Sequence, residues 1–113
     1  MNAPIQGRTD RSGRQVAPIS EAAWQRTVVD AARRLGWSVY HTFDSRRSAS
    51  GFPDLVLVRD RIIYVELKSA KGRQSAAQMA WAHALSAAGA EVYLFRPDDW
   101  PEVEEVLRMR RVP

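Results

Sequence analysis

Apolar residues recur along this chain with two different periods, and each change of period marks an element. From Glu21 onward, Trp24, Val28, Ala31 and Leu35 fall on one stripe at helical spacing. Ser20 precedes them as an N-cap and Gly36 follows as a stop, which predicts a helix over Glu21 to Leu35. Trp37 to Phe43, WSVYHTF, is a short aromatic and β-branched run and reads as a strand. Two more hydrophobic runs, roughly Asp54 to Arg59 and Ile62 to Lys68, flank a charged turn at Asp60 and Arg61 and read as a hairpin. In the second run Ile63, Val65 and Leu67 share one face, and Tyr64, Glu66 and Lys68 the other. The first, DLVLV, is apolar at consecutive positions, which predicts a strand covered on both sides.

Ser75 and Gln78 have capping-box spacing and open a second helix that runs through Met79, Trp81, Leu85 and Ala88 to Gly89. Ala90 to Arg96 is a fourth strand, ended by Pro97. Asp98 or Asp99 can cap a final helix that takes Pro101 in its first turn and buries Val103, Val106 and Leu107. The order α-β-β-β-α-β-α predicts an α/β fold with a C-terminal helix. Residues 1 to 18 lack periodic spacing and carry Arg8, Arg11 and Arg14 against Asp10, so they read as a flexible basic arm. Residues 19 to 113 then form the single domain.

Composition narrows the chemistry. A chain of 113 residues suits one domain, and 45% apolar with 27% charged residues is the balance of a globular protein. The absence of cysteine excludes disulfides, thiolate metal sites and a thiol nucleophile, and two histidines, His41 and His83, leave little for zinc. No apolar run approaches the roughly 20 residues that span a bilayer. The N-terminus has no apolar signal-peptide centre, so a cytoplasmic protein is expected. The net charge of +4 favours an anionic partner such as nucleic acid.

Against this background three charges stand out. Asp54 opens the first hairpin strand, and Glu66 and Lys68 interrupt the end of the second. A turn at Asp60 and Arg61 places Asp54 opposite Leu67 or Glu66, so two carboxylates and an ammonium converge. Buried charges are costly unless they pair or hold a metal. Mg²⁺ takes hard oxygen ligands and usually one or two carboxylates, with waters and substrate phosphate completing its shell. Asp54 and Glu66 fit, and the Leu67 carbonyl is a further protein oxygen. Lys68 beside such an ion is placed to orient an attacking water or to stabilise phosphorus under attack, which suits phosphodiester hydrolysis. The plainer alternative is a structural ion pair between Lys68 and Glu66, with Asp54 capping a turn after Pro53.

Other candidates surround the hairpin. Arg46, Arg47 and Ser48 lie in a polar loop before it and suit phosphate contacts, as an ordinary exposed loop also would. Lys71 and Arg73 sit in the basic connection after it and, with Gln25 on the first helix, are further candidates for DNA contacts. Glu21 and Gln25 are one turn apart on the first helix, where Glu21 also complements the helix dipole. Gln78 lies at the start of the second helix, close along the chain to Lys68, and is also the capping partner of Ser75.

Pro53-Asp54 followed by Glu66-Leu67-Lys68 resembles the PD-(D/E)XK nuclease motif. With Glu21 and Gln25, the Gly51-x-Pro53-Asp54 run, and Gln78, Trp81 and Gly89, the chain is most similar to the VRR-NUC family of that superfamily, over residues 20 to about 107. The resemblance implies a restriction-endonuclease-like αβββαβ core with a mixed four-stranded sheet flanked by helices. It implies a deoxyribonuclease dependent on Mg²⁺ or Mn²⁺, with Asp54 and Glu66 as metal ligands and Lys68 as the catalytic lysine. Glu21 would complete the acidic cluster directly or through water, and Gln78 would support the site. Stand-alone members of the family resemble Holliday-junction resolvases and act as homodimers, so a homodimer acting on branched DNA is expected. Two other readings compete: a non-catalytic DNA-binding module using the same basic surface, and a structural or partner-binding protein whose hairpin charges are ion pairs.

Overall fold

The computed structural model describes residues 18–43 and 49–111, together with Arg8–Thr9 and Gln15–Val16. Within the N-terminal arm, β1 (Arg8–Thr9) pairs antiparallel with β2 (Gln15–Val16), a ladder that the unpatterned sequence did not announce. The domain follows as α1 (Glu21–Arg34), β3 (Ser38–His41), β4 (Leu55–Val58), β5 (Ile62–Leu67), α2 (Ala76–Ala87), β6 (Glu91–Phe95), a 3₁₀ turn (Pro97–Asp99) and α3 (Trp100–Arg108). Two of the predicted N-caps make their side-chain bonds: Ser20 Oγ accepts from Ala23 N, and Ser75 and Gln78 form a reciprocal capping box. Asp99 occupies the N-cap position of α3 without a cap bond to it, its carboxylate accepting instead from Arg96 N at 2.8 Å.

The sheet order is β3-β4-β5-β6, antiparallel except for the parallel β5–β6 pair. This is the mixed four-stranded α/β sheet expected. A parallel neighbour requires a crossover, and α2 supplies it. One sheet face packs on α1 and α3 around Leu55, Leu57, Ile63, Val65, Leu67 and Phe95, with Trp24, Val28 and Val103 from the helices. Trp24 Nε1 donates to the Phe95 carbonyl at 3.0 Å and Trp37 Nε1 to the Leu107 carbonyl at 2.9 Å, so both buried indoles keep their hydrogen bonds.

The other face is covered unevenly. On it α2 lies over Tyr64 and Glu66, with Phe52 wedged edge-on between Tyr64 and Trp81. No residue of α2 is fully buried, and Met79 is exposed. Val58 and Ile62 are exposed and Val56 is half-buried, so the expectation that DLVLV is covered on both sides is corrected. Consecutive apolar residues mark a strand whose second face is apolar; they do not specify a layer on top of it.

The hairpin turn is one residue longer than the expected pair Asp60 and Arg61. Val58 pairs with Ile62, leaving Arg59, Asp60 and Arg61 as a three-residue loop centred on Asp60. Its two arginines are structural. Arg59 donates to the carbonyls of Leu35 (3.1 Å), Leu107 (2.9 Å) and Met109 (2.5 Å), capping the C-terminal ends of α1 and α3 together. Arg61 donates to Val106 O at 2.8 Å and bridges Glu91, and both guanidinium groups lie over Trp37. Arg59→Met keeps the aliphatic stem but removes three charge-assisted hydrogen bonds and leaves the Leu35 carbonyl without its side-chain donor, while Trp37 and Arg61 still serve Leu107 and Met109. It is expected to destabilise the protein by on the order of 2–4 kcal/mol, read as a lower urea midpoint with unchanged slope.

Candidate active site

The three-residue loop decides the register at the far end of the hairpin. Leu55 pairs with Val65, and one step further the ladder sets Asp54 across from Glu66. Leu67 N donates to Asp54 Oδ2 at 2.7 Å, a side-chain bond that continues the hairpin past its last backbone pair. The Asp54 carbonyl accepts from Thr42 N at 2.8 Å, tying β3 to the same point. Asp54 is thereby held from both neighbouring strands.

Glu66 lies on the α2 face of β5 and is the buried charged residue of the core, 3% exposed. Gln78 Nε2 donates to Glu66 Oε2 at 2.6 Å, and Lys68 Nζ stands 3.6 Å from the same oxygen. Gln78 can reach because the capping box fixes it in the first turn of α2, with its Oε1 accepting from Ser75 N. Lys68 is positioned through its backbone: its N–H and the Trp24 indole both donate to the Phe95 carbonyl, joining β5, β6 and α1 at one atom. Arg96 holds the connection that follows, donating to Ser69 O at 2.8 Å and Gly72 O at 2.5 Å.

Burial pushes the Asp54 carboxyl above its ordinary range; the Leu67 N–H opposes the rise, Glu21 adds to it, and Lys68 and His41 oppose it. Burial and then repulsion from Asp54 push Glu66 up to about 7, against the pull of Lys68. The site therefore holds more negative charge than one lysine offsets. A raised folded-state value means that Glu66 favours the fold fully below about 4.5, loses that contribution as pH rises, and disfavours the fold above about 7. Glu66→Gln removes the titration. In metal-free buffer the stability of the wild type should fall relative to Glu66→Gln between pH 5 and 8, by on the order of 3 kcal/mol. Urea unfolding at both pH values checks this; parallel curves would contradict it.

The predicted residues divide clearly. Asp54, Glu66, Lys68 and Gln78 meet in one site. Glu21, at the exposed start of α1, acts on both carboxylates electrostatically. Gln25, expected to contact DNA, has its amide against His41 Nε2, so its contact is internal. Lys71 and Arg73 are exposed beside the site, while Arg46, Arg47 and Ser48 lie outside the described residues. His41 and Arg96 are the contributors that pattern reading missed; a histidine inside an aromatic strand and an arginine closing one were the available signals. Among the described residues, no three acidic, histidine or cysteine side chains gather closely enough to form a metal cage. Two hard carboxylates in a crowded anionic pocket do fit an ion that takes its remaining ligands from water, carbonyl and phosphate, as Mg²⁺ does.

A mixed α/β sheet with an Asp, Glu and Lys set gathered at one end of its hairpin defines a nuclease-type domain. The VRR-NUC domain family model matches residues 10–98, and the chain belongs to that family. A solved structure described as a VRR_NUC domain protein shares the fold, with a TM-score of 0.66 at 18% identity over 80% of this chain and 87% of that one. No curated protein matches. Among the described residues no helix is long and apolar enough to cross a membrane.

Proposed function

We propose that the protein is a Mg²⁺- or Mn²⁺-dependent, structure-selective DNA endonuclease that hydrolyses phosphodiester bonds in branched DNA such as Holliday junctions. The observation that carries this is the buried Glu66 carboxylate, held at about 7 beside Asp54 with Lys68 at 3.6 Å. As a structural ion pair this arrangement is poor, because two carboxylates share one lysine in a desolvated site. As a cation site it is reasonable, since a divalent ion offsets both charges.

Asp54 and Glu66 would hold the ion, with the Leu67 carbonyl as a further oxygen and Glu21 contributing directly or through water. When bound, such an ion lowers the pKa of its water and offsets charge on the phosphoryl group. The chain's own residues do the rest. Gln78 fixes the Glu66 carboxylate, Leu67 N–H fixes that of Asp54, and Lys68 presents an ammonium to the phosphoryl oxygens. Lys71 and Arg73 offer phosphate contacts on the flank, and Arg46, Arg47 and Ser48 are assigned the same role. A cytoplasmic homodimer suits the strip of Tyr40, Val58 and Ile62 exposed on one sheet face, although its two-fold partner surface is part of the proposal.

Purified protein incubated with four-way, flapped, single-stranded and linear duplex DNA should cut the branched forms in Mg²⁺ or Mn²⁺ and none in EDTA. A dimer should place two near-symmetric nicks in the four-way junction. Salt-sensitive binding without cutting in any divalent metal would instead identify a non-catalytic DNA-binding module.

A further inference from the structure

We infer that Phe43 is a stacking platform for an unpaired nucleobase beside the scissile phosphate, and so a residue that selects branched over continuous DNA. The inference deepens the nuclease reading and rests on it. Thr42 N is bonded to the Asp54 carbonyl at 2.8 Å, so Phe43 stands one residue from the point where β3 is tied to the site. Its side chain is 76% exposed, more than any other large hydrophobic residue described.

The ring is nevertheless not loose. One face rests on the His41 imidazole, with centroids 5.2 Å apart and planes inclined by 33°. His41 is in turn held by the Gln25 amide from α1. The rest of the side chain is largely exposed. A backed aromatic ring with one open face is the form a base-stacking residue takes, and it tolerates any base because each has a π-face. The corner has unspent polar capacity as well: His41 Nδ1 and Thr42 Oγ1 are buried without a hydrogen-bond partner among the described residues. Native folds satisfy the large majority of such atoms, so both are available to a ligand or a water.

In continuous duplex each base face is already covered by its neighbours, so Phe43 has nothing to receive. At a branch point or flap an unstacked base can lie on it. This makes selectivity a property of one side chain next to the chemistry.

The test uses the full chain and a forked duplex with 2-aminopurine at the unpaired nucleotide beside the branch, titrated in EDTA. Wild-type protein and Phe43→Trp should change the probe's fluorescence on binding, and Phe43→Leu should not. In Mn²⁺ the fork-to-duplex cleavage ratio should fall about tenfold in Phe43→Leu and be restored in Phe43→Trp. An unchanged ratio with unchanged fluorescence in Phe43→Leu overturns the inference. So does a Phe43→Leu protein whose subunit association or melting changes while its fork preference does not, since Phe43 would then be a packing residue. If wild-type protein cuts no DNA but its fluorescence response requires Phe43, the nuclease reading fails and the stacking role stands.

Discussion

Lys68→Ala should cut branched DNA at least about a hundredfold more slowly than the wild type while remaining folded. The side chain meets Glu66 Oε2 at 3.6 Å and stands outside the hydrophobic core cluster, so its loss removes chiefly charge. Its backbone N–H still donates to Phe95 O, which keeps β5 on β6. What disappears is the ammonium beside the two carboxylates. A divalent ion would offset those carboxylates in its place, so the variant should still bind Mn²⁺. Lys68→Arg should not restore the rate, because a planar guanidinium is larger and directs its donors differently from an ammonium. Cleavage kinetics with circular dichroism as the folding control make the comparison, and full activity in a folded Lys68→Ala protein would remove the lysine from the mechanism.

The second large effect is expected at a glycine. Gly51 has φ of +91°, and a Cβ there would stand 2.5 Å from the Ala77 carbonyl carbon and 2.6 Å from its oxygen. Those are backbone atoms in the first turn of α2, so no side chain can swing away. Gly51→Ala must displace either the segment that leads to Pro53-Asp54 or the turn that presents Gln78 to Glu66. The expected cost is on the order of 2–4 kcal/mol from the left-handed backbone and overpacking together, with a loss of cleavage beyond what instability explains. Gly89→Ala is the control: φ is +93° but nothing lies within 4 Å of its Cβ, so about 1–2 kcal/mol and normal cleavage are expected. Urea midpoints and cleavage rates for the pair separate the crowding at Gly51 from backbone strain.

Much of this was legible in the chain. Helical spacing, capping residues and strand runs placed all seven domain elements in order, because each carries a local signal. Asp54, Glu66 and Lys68 were found because charges inside an apolar hairpin violate its pattern, and Gln78 because its capping-box position opens the helix that follows Lys68. What escaped depended on tertiary detail. Whether Asp54 met Glu66 or Leu67 turned on one residue in the hairpin loop, and the three-residue turn made Glu66 its cross-strand partner. Arg59 and Arg61 read only as a strand end and a charged turn, yet their donors are taken by helix-end carbonyls assembled from distant segments. Gln25 was visible one turn from Glu21, but its partner His41 lies across a helix–strand gap that no spacing rule reports. The exposure of Val58 and Ile62 was invisible for the same reason, since the length of α2 over the sheet is set by packing.

The claim on which the rest depends is that Asp54 and Glu66 hold a divalent ion. Titrating Mn²⁺ and following its free electron paramagnetic resonance signal tests that claim without requiring a substrate. The wild-type protein should deplete the free signal, Asp54→Asn and Glu66→Gln should each weaken the binding, and the double variant should abolish it. Equal depletion by the wild type and the double variant would contradict it.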